Sequence, residues 1–94
     1  MNYIKEVNEI FELEEQGFVW FVDHSKYVLM SLESSANPND MTSIHDLFRE
    51  VKKILEDNQP TISFARIDLA NAPRIVDHYK IKTTPRIYLF VDSN

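Results

Sequence analysis

Apolar residues at spacings of three and four mark residues 41–57 as a helix. Met41, Ile44, Leu47, Phe48, Val51, Ile54 and Leu55 fall on one stripe. Asp40 stands where an N-cap belongs, and Asn58-Gln59-Pro60 ends the pattern. Arg49, Lys52 and Lys53 take the other face, with the lysines toward the C-terminal end that the helix dipole favours for cations. Residues 61–69 alternate, with Ile62, Phe64 and Ile67 inward, and predict a strand. Residues 27–32 predict another, followed by a polar, turn-rich loop over 33–39. Pro73 suits the first turn of a short helix that buries Ile75, Val76 and Tyr79. Residues 86–91 form a β-rich run apolar enough for the centre of a sheet. From residue 27 the order is β-α-β-α-β, which implies parallel pairings in a layered α/β fold. Ile44, Phe48, Val51, Ile54, Phe64, Ile67, Ile87 and Leu89 are expected to share one core.

The first 26 residues admit two readings. Residues 8–16 suggest a helix, with Gly17 as its C-terminal stop. Residues 18–22 (Phe-Val-Trp-Phe-Val) have strand propensity and would make a hairpin with 27–32. Alternatively a short strand near residues 3–7 precedes a helix, and 18–22 is buried helix or a packed connection. Phe18, Trp20 and Phe21 are expected in the core on either reading. The acids from Glu12 to Glu15 are expected on a solvated helix face.

Ninety-four residues bound the chain to one domain, 1–94, large enough to bury a core. The composition, 44% hydrophobic and 27% charged, is globular. A net charge of −5 with no basic stripe argues against nucleic-acid binding. No apolar run reaches membrane-spanning length. Residues 1–6 lack the apolar centre of a signal peptide, which taken at face value means the cytoplasm; a chain beginning after a removed signal, as in the ER lumen, would look the same. There is no cysteine, so disulfides and thiol chemistry are excluded. His24, His45 and His78 are scattered without metal-ligand spacing, and Asp23-His24-Ser25 lacks the surroundings of a nucleophile. No metal, cofactor or catalytic residue is expected.

Pro85 stands directly before the strand-like run at 86–91, a place tolerated only where the sheet can spare an N–H donor. Phe64-Ala65-Arg66-Ile67-Asp68, His78-Tyr79-Lys80-Ile81-Lys82-Thr83-Thr84-Pro85, and the strand-to-loop passage ending in Ala36-Asn37-Pro38-Asn39 together resemble the second and larger part of a thioredoxin-superfamily domain, over residues 27–94. The resemblance implies a thioredoxin-like α/β sandwich with a cis-proline at Thr84–Pro85, truncated after the strand that follows it. In the redox enzymes of that family the loop opposite the proline carries Cys-Gly-Pro-Cys. Here Ala36 and Asn39 stand at the sulfur positions and Pro38 keeps the proline, while the buried acid of the enzymes would fall near Met30. Redox-inactive domains of protein disulfide isomerases and thioredoxin-like domains of oligosaccharyltransferase subunits are similar in pattern.

The resemblance implies a non-catalytic binding or structural module, not an enzyme, that recognises a protein or an extended peptide. Its candidate site comprises Thr83, Thr84 and Pro85 with Ala36, Asn37, Pro38 and Asn39. Two alternatives stand beside it: a fragment or cysteine-removed variant of a thiol–disulfide oxidoreductase, and a scaffold subunit of a larger complex. The early stop after residues 86–91 would leave an apolar sheet surface bare, which makes a homodimer or a protein partner an expectation.

Overall fold

The computed structural model describes residues 3–7, 10–36, 46–54 and 62–92. Two short strands, β1 (Ile4–Val7) and β2 (Ile10–Leu13), lead into helix α1 (Glu15–Asp23) and strand β3 (Tyr27–Glu33). Residues 46–54 are helical and are called α2. Strand β4 (Ser63–Asp68), a 3-10 turn (Leu69–Asn71), helix α3 (Pro73–Tyr79) and strand β5 (Arg86–Val91) follow. The five strands form one sheet in the order β1-β2-β4-β3-β5. β2, β4 and β3 run parallel, and the flanking strands β1 and β5 are antiparallel to their neighbours. This is the layered α/β arrangement that alternating strands and helices imply, but β5 runs antiparallel to β3, whereas the order from residue 27 led to parallel pairings.

The sheet separates two apolar clusters. On one face Phe18, Phe21 and Val22 of α1 and Ile75 of α3 pack on Leu13, Val28, Met30, Leu32, Ala65, Ile67 and Phe90. Aromatic rings knit this layer together, with Phe18 edge-on to Phe90 at 5.7 Å and Tyr79 edge-on to Tyr88 at 5.7 Å. On the other face Phe48 of α2 meets Ile10 and Phe64, its ring 5.6 Å from that of Phe64. Phe64 and Ile67 therefore do not share a core. They are three apart on a strand, and side chains alternate with a period of two.

Other expectations also yield to tertiary context. Residues 10–13 form a strand, not part of a helix, because β2 pairs in parallel with β4 through Phe11↔Ala65 and Leu13↔Ile67. Gly17 does not stop a helix; it lies inside α1, where a Cβ would come within 2.7 Å of the Tyr3 carbonyl oxygen. Residues 18–22 are helical, with Phe18 and Phe21 buried as expected but Trp20 56% exposed. Trp20 instead stacks on His24, ring centroids 4.1 Å apart. In α2 only Phe48 is fully inward; Leu47 and Ile54 are exposed. β5 is an edge strand among the described residues, not a central one, so Ile87 and Leu89 are exposed. Met41, Ile44 and Leu55, the Asp40 cap and the 58–60 stop lie outside the described residues, as does His45.

Candidate functional site

The rim of the sheet is set by strand direction. β2, β4 and β3 all end on it, and antiparallel β5 begins there. In open α/β sheets, ligand crevices lie outside the carboxyl ends of the parallel strands. The β3–β5 register ends at Leu32↔Arg86. The chain leaving β3 and the chain entering β5 therefore meet this rim on adjacent strands, with Ser34–Ala36 after the one and Thr83–Pro85 before the other.

The loop before β5 is held by its own strand. Arg86 Nε donates to the Thr83 carbonyl at 3.2 Å, and a terminal guanidinium nitrogen donates to Thr83 Oγ1 at 3.3 Å. The Thr84–Pro85 peptide bond is cis. Thr83 and Pro85 are exposed and Thr84 is half-buried. Lys80, in the left-handed conformation that ends α3, Lys82 and Arg86 place exposed cations around this loop in a chain of net charge −5. A shallow concavity of about 580 Å³, lined by Leu69, Val76, Ile81 and Lys82 among others, opens beside it.

The loop after β3 turns through a short side-chain bond, the Ala36 N–H donating to Ser34 Oγ at 3.2 Å. It is tied to β4 by Asp68, whose Oδ1 accepts the N–H of Ser35 and that of Ala70, both at 3.0 Å. Burial opposes the charge on Asp68. The Ser35 N–H and hydroxyl, the Ala70 N–H and the Arg66 guanidinium outweigh it and hold the carboxyl below its usual range. Ala36 is exposed at the end of this described stretch. Asn37, Pro38 and Asn39 lie outside the described residues.

Beneath the rim lies a charged group that the strand pattern hid. Arg66, 8% exposed, reaches Glu12 and Glu33, each at 3.4 Å. Glu33 is 1% exposed, and Met30, where the enzymes' buried acid was expected, is fully buried among apolar side chains. The signal was present: Arg66 has the same parity as Ile62 and Phe64, and a charge at an inward strand position requires a partner. Neither the Glu12–Glu15 cluster nor the helix expected for it is simply solvated. Glu12 pairs with Arg66, and Glu15 Oε2 accepts the backbone N–H groups of Arg74 and Ile75. Among the described residues no cluster of histidine, aspartate and glutamate has the makings of a metal site.

No family model matches this sequence, and no curated protein matches it. Solved structures do. The first thioredoxin domain of mouse protein disulfide-isomerase A4 superposes with a TM-score of 0.80 at 22% identity, over 97% of this chain and 64% of that one. Human ERp44 in a zinc-bound form gives 0.74 at 20% identity, over 90% of this chain and 25% of that one. Plasmodium falciparum thioredoxin gives 0.69 at 11% identity, over 86% and 74%. The chain has a thioredoxin-like fold, and it spans less than two thirds of the mouse domain it resembles. It contains no cysteine.

Proposed function

We propose that the chain is a non-catalytic thioredoxin-like module that holds an extended segment of another protein against the rim formed by Thr83–Pro85 and Ser34–Ala36. The observation that supports this reading is the last pair of the β3–β5 register, Leu32↔Arg86, where the exit of β3 adjoins the entry of β5 at the rim on which the parallel strands end. An extended segment takes its affinity from main-chain hydrogen bonds and its selectivity from pockets for alternate side chains. Thr84, half-buried between exposed Thr83 and Pro85, supplies the backbone for the first, and the concavity of Leu69, Val76 and Ile81 serves the second. Thiol exchange has no place in the reading, because its nucleophile is a thiolate and the chain has no sulfhydryl. Asn37, Pro38 and Asn39 remain part of the proposed rim on the resemblance alone.

The reading is tested by titrating the labelled chain with reduced, carboxymethylated α-lactalbumin, an extended client with its own thiols blocked, and following backbone amide shifts. Shifts confined to Ser34–Ala36, Leu69–Asn71 and Ile81–Arg86, and abolished by Thr84→Trp, are expected. Shifts elsewhere, or none with the client in large excess, overturn it.

A further inference from the structure

The loop entering β5 has a charge opposite to that of the whole molecule. The chain carries 15 acidic residues against 10 basic ones. From His78 to Val91, however, it has Lys80, Lys82 and Arg86 and no aspartate or glutamate. All three cations are exposed, and they surround the Thr83–Pro85 loop. The carboxylates elsewhere on the rim are engaged: Asp68 holds the Ser35 and Ala70 N–H groups, and Glu33 is buried against Arg66.

Among the described residues no carboxylate pairs with Lys80, Lys82 or Arg86. Arg86 is held by the Thr83 carbonyl and hydroxyl, neutral groups that fix the guanidinium without offsetting its charge. Lys80 stands just past the last turn of α3, where the helix carbonyls favour a cation. Lys82 lies beyond that end. Both lysines line the concavity beside the loop, whose apolar part is Leu69, Val76 and Ile81. Asp77 is the one carboxylate among its described lining residues. An apolar hollow thus sits next to a cluster of cations with no counter-charge of their own.

We infer that the segment held at this rim is acidic: an extended peptide that seats an apolar side chain in the concavity and sets aspartate or glutamate residues against Lys80, Lys82 and Arg86. The inference rests on the client reading of the rim and names the client's chemistry. Charge complementarity carries it. The net charge of −5 repels an acidic segment from the rest of the surface, so its attraction is confined to this loop. The field therefore selects where the segment binds as well as how tightly, with repulsion elsewhere doing part of the selecting. Exposed ion pairs are individually weak, and the apolar anchor supplies the remaining affinity. The phosphates of a single-stranded nucleic acid would meet the same cations, but such sites also stack bases on aromatic side chains. No residue from 80 to 87 is aromatic.

The test compares three short peptides, capped at both ends, that share the same apolar residues and differ only in the residues between them: aspartate, asparagine or lysine. Each is titrated into the labelled 94-residue chain, and the backbone amides of Ile81–Arg86 are followed. The aspartate peptide should bind about tenfold more tightly than the asparagine peptide at low ionic strength, with the lysine peptide weakest. That advantage should shrink as salt screens the exposed charges. Lys80→Glu with Lys82→Glu, at two exposed positions, should reverse the order. Arg49→Glu with Lys53→Glu, the same change of net charge at exposed positions of α2, should leave it as it was. Equal affinities of the three peptides at Ile81–Arg86 overturn the inference and leave the client reading standing. Absence of shifts there with every peptide overturns it too, and the α-lactalbumin titration decides the client reading separately. A reversal produced equally by the α2 variant reduces the effect to net charge and overturns it. An oligothymidylate that binds these amides as tightly as the aspartate peptide assigns the cations to phosphate and likewise overturns it.

Discussion

Glu15 closes the N-terminus of the helix containing Ile75. Its Oε2 accepts the Arg74 N–H at 2.7 Å and the Ile75 N–H at 3.1 Å, from the first turn of α1 to the first turn of α3. Ala72, which occupies the cap position of α3, makes no side-chain cap, so a residue far away in sequence supplies what the local sequence lacks. The bond also favours a negative charge at the positive end of the helix. Glu15→Ala should lower stability by about 1–2 kcal/mol, the usual range for a lost cap, measured as a shift in the urea midpoint. An unchanged midpoint would show that water replaces the carboxylate.

Gly17 offers a sign reversal. In an exposed helix Gly→Ala stabilises by about 1 kcal/mol. Here the new methyl would stand 2.7 Å from the Tyr3 carbonyl oxygen and 2.9 Å from Ile4 Cγ1. That carbonyl already accepts the Glu14 N–H at 2.8 Å and cannot retreat without breaking the bond. Gly17→Ala should destabilise the protein, with hydrogen-exchange protection lost first in β1.

Phe48 is 1% exposed and joins α2 to the sheet through Phe64. Phe48→Ala should cost about 3–5 kcal/mol, as for other buried aromatic deletions. Its cluster with Ile10 and Phe64 has few members, so the helical signal of residues 46–54 should melt before the rest in the variant. A cost below about 1 kcal/mol would place Phe48 on the surface.

Asp68 links stability to pH. Its folded carboxyl titrates below the ordinary value of 3.8. Near that value the unfolded chain binds more protons than the folded one, so stability from this group rises with pH. The contribution is complete above 3.8 and disappears as pH falls through the lowered folded value. Urea midpoints of wild type and Asp68→Asn should differ at neutral pH and converge in strong acid. Curves that stay parallel would assign the acid sensitivity to other carboxylates.

No thiol is available, so insulin reduction with dithiothreitol should proceed at the buffer rate in the presence of the pure chain. Turnover above the blank would contradict the non-catalytic reading.

The larger elements from residue 27 onward were legible because their periodicities are strong and their boundaries are marked. Alternation gave β4, Pro73 marked the start of α3, and the apolar run of residues 86–91 became β5. The Thr-Pro loop was visible as well, since a proline before an apolar run admits few structures. Chain order alone implied the parallel pairing of β3 with β4, but not the antiparallel course of β5 beside β3. Other features depend on distant partners. Residues 10–13 have no strong local preference, and they become a strand because β4 offers a parallel edge. Gly17 looks like a stop to any local rule, yet it is glycine because the Tyr3 carbonyl passes over it. The burial of Glu33 with Arg66 required a strand pair in register, and the exposure of Ile87 and Leu89 required β5 to stand at the edge. From residue 27 onward local sequence determined element type, because propensity and period act within a few residues and are strong there. Which side of the sheet each residue faces, and what meets it there, was decided only by the tertiary structure, because packing and pairing act between segments that the sequence keeps apart.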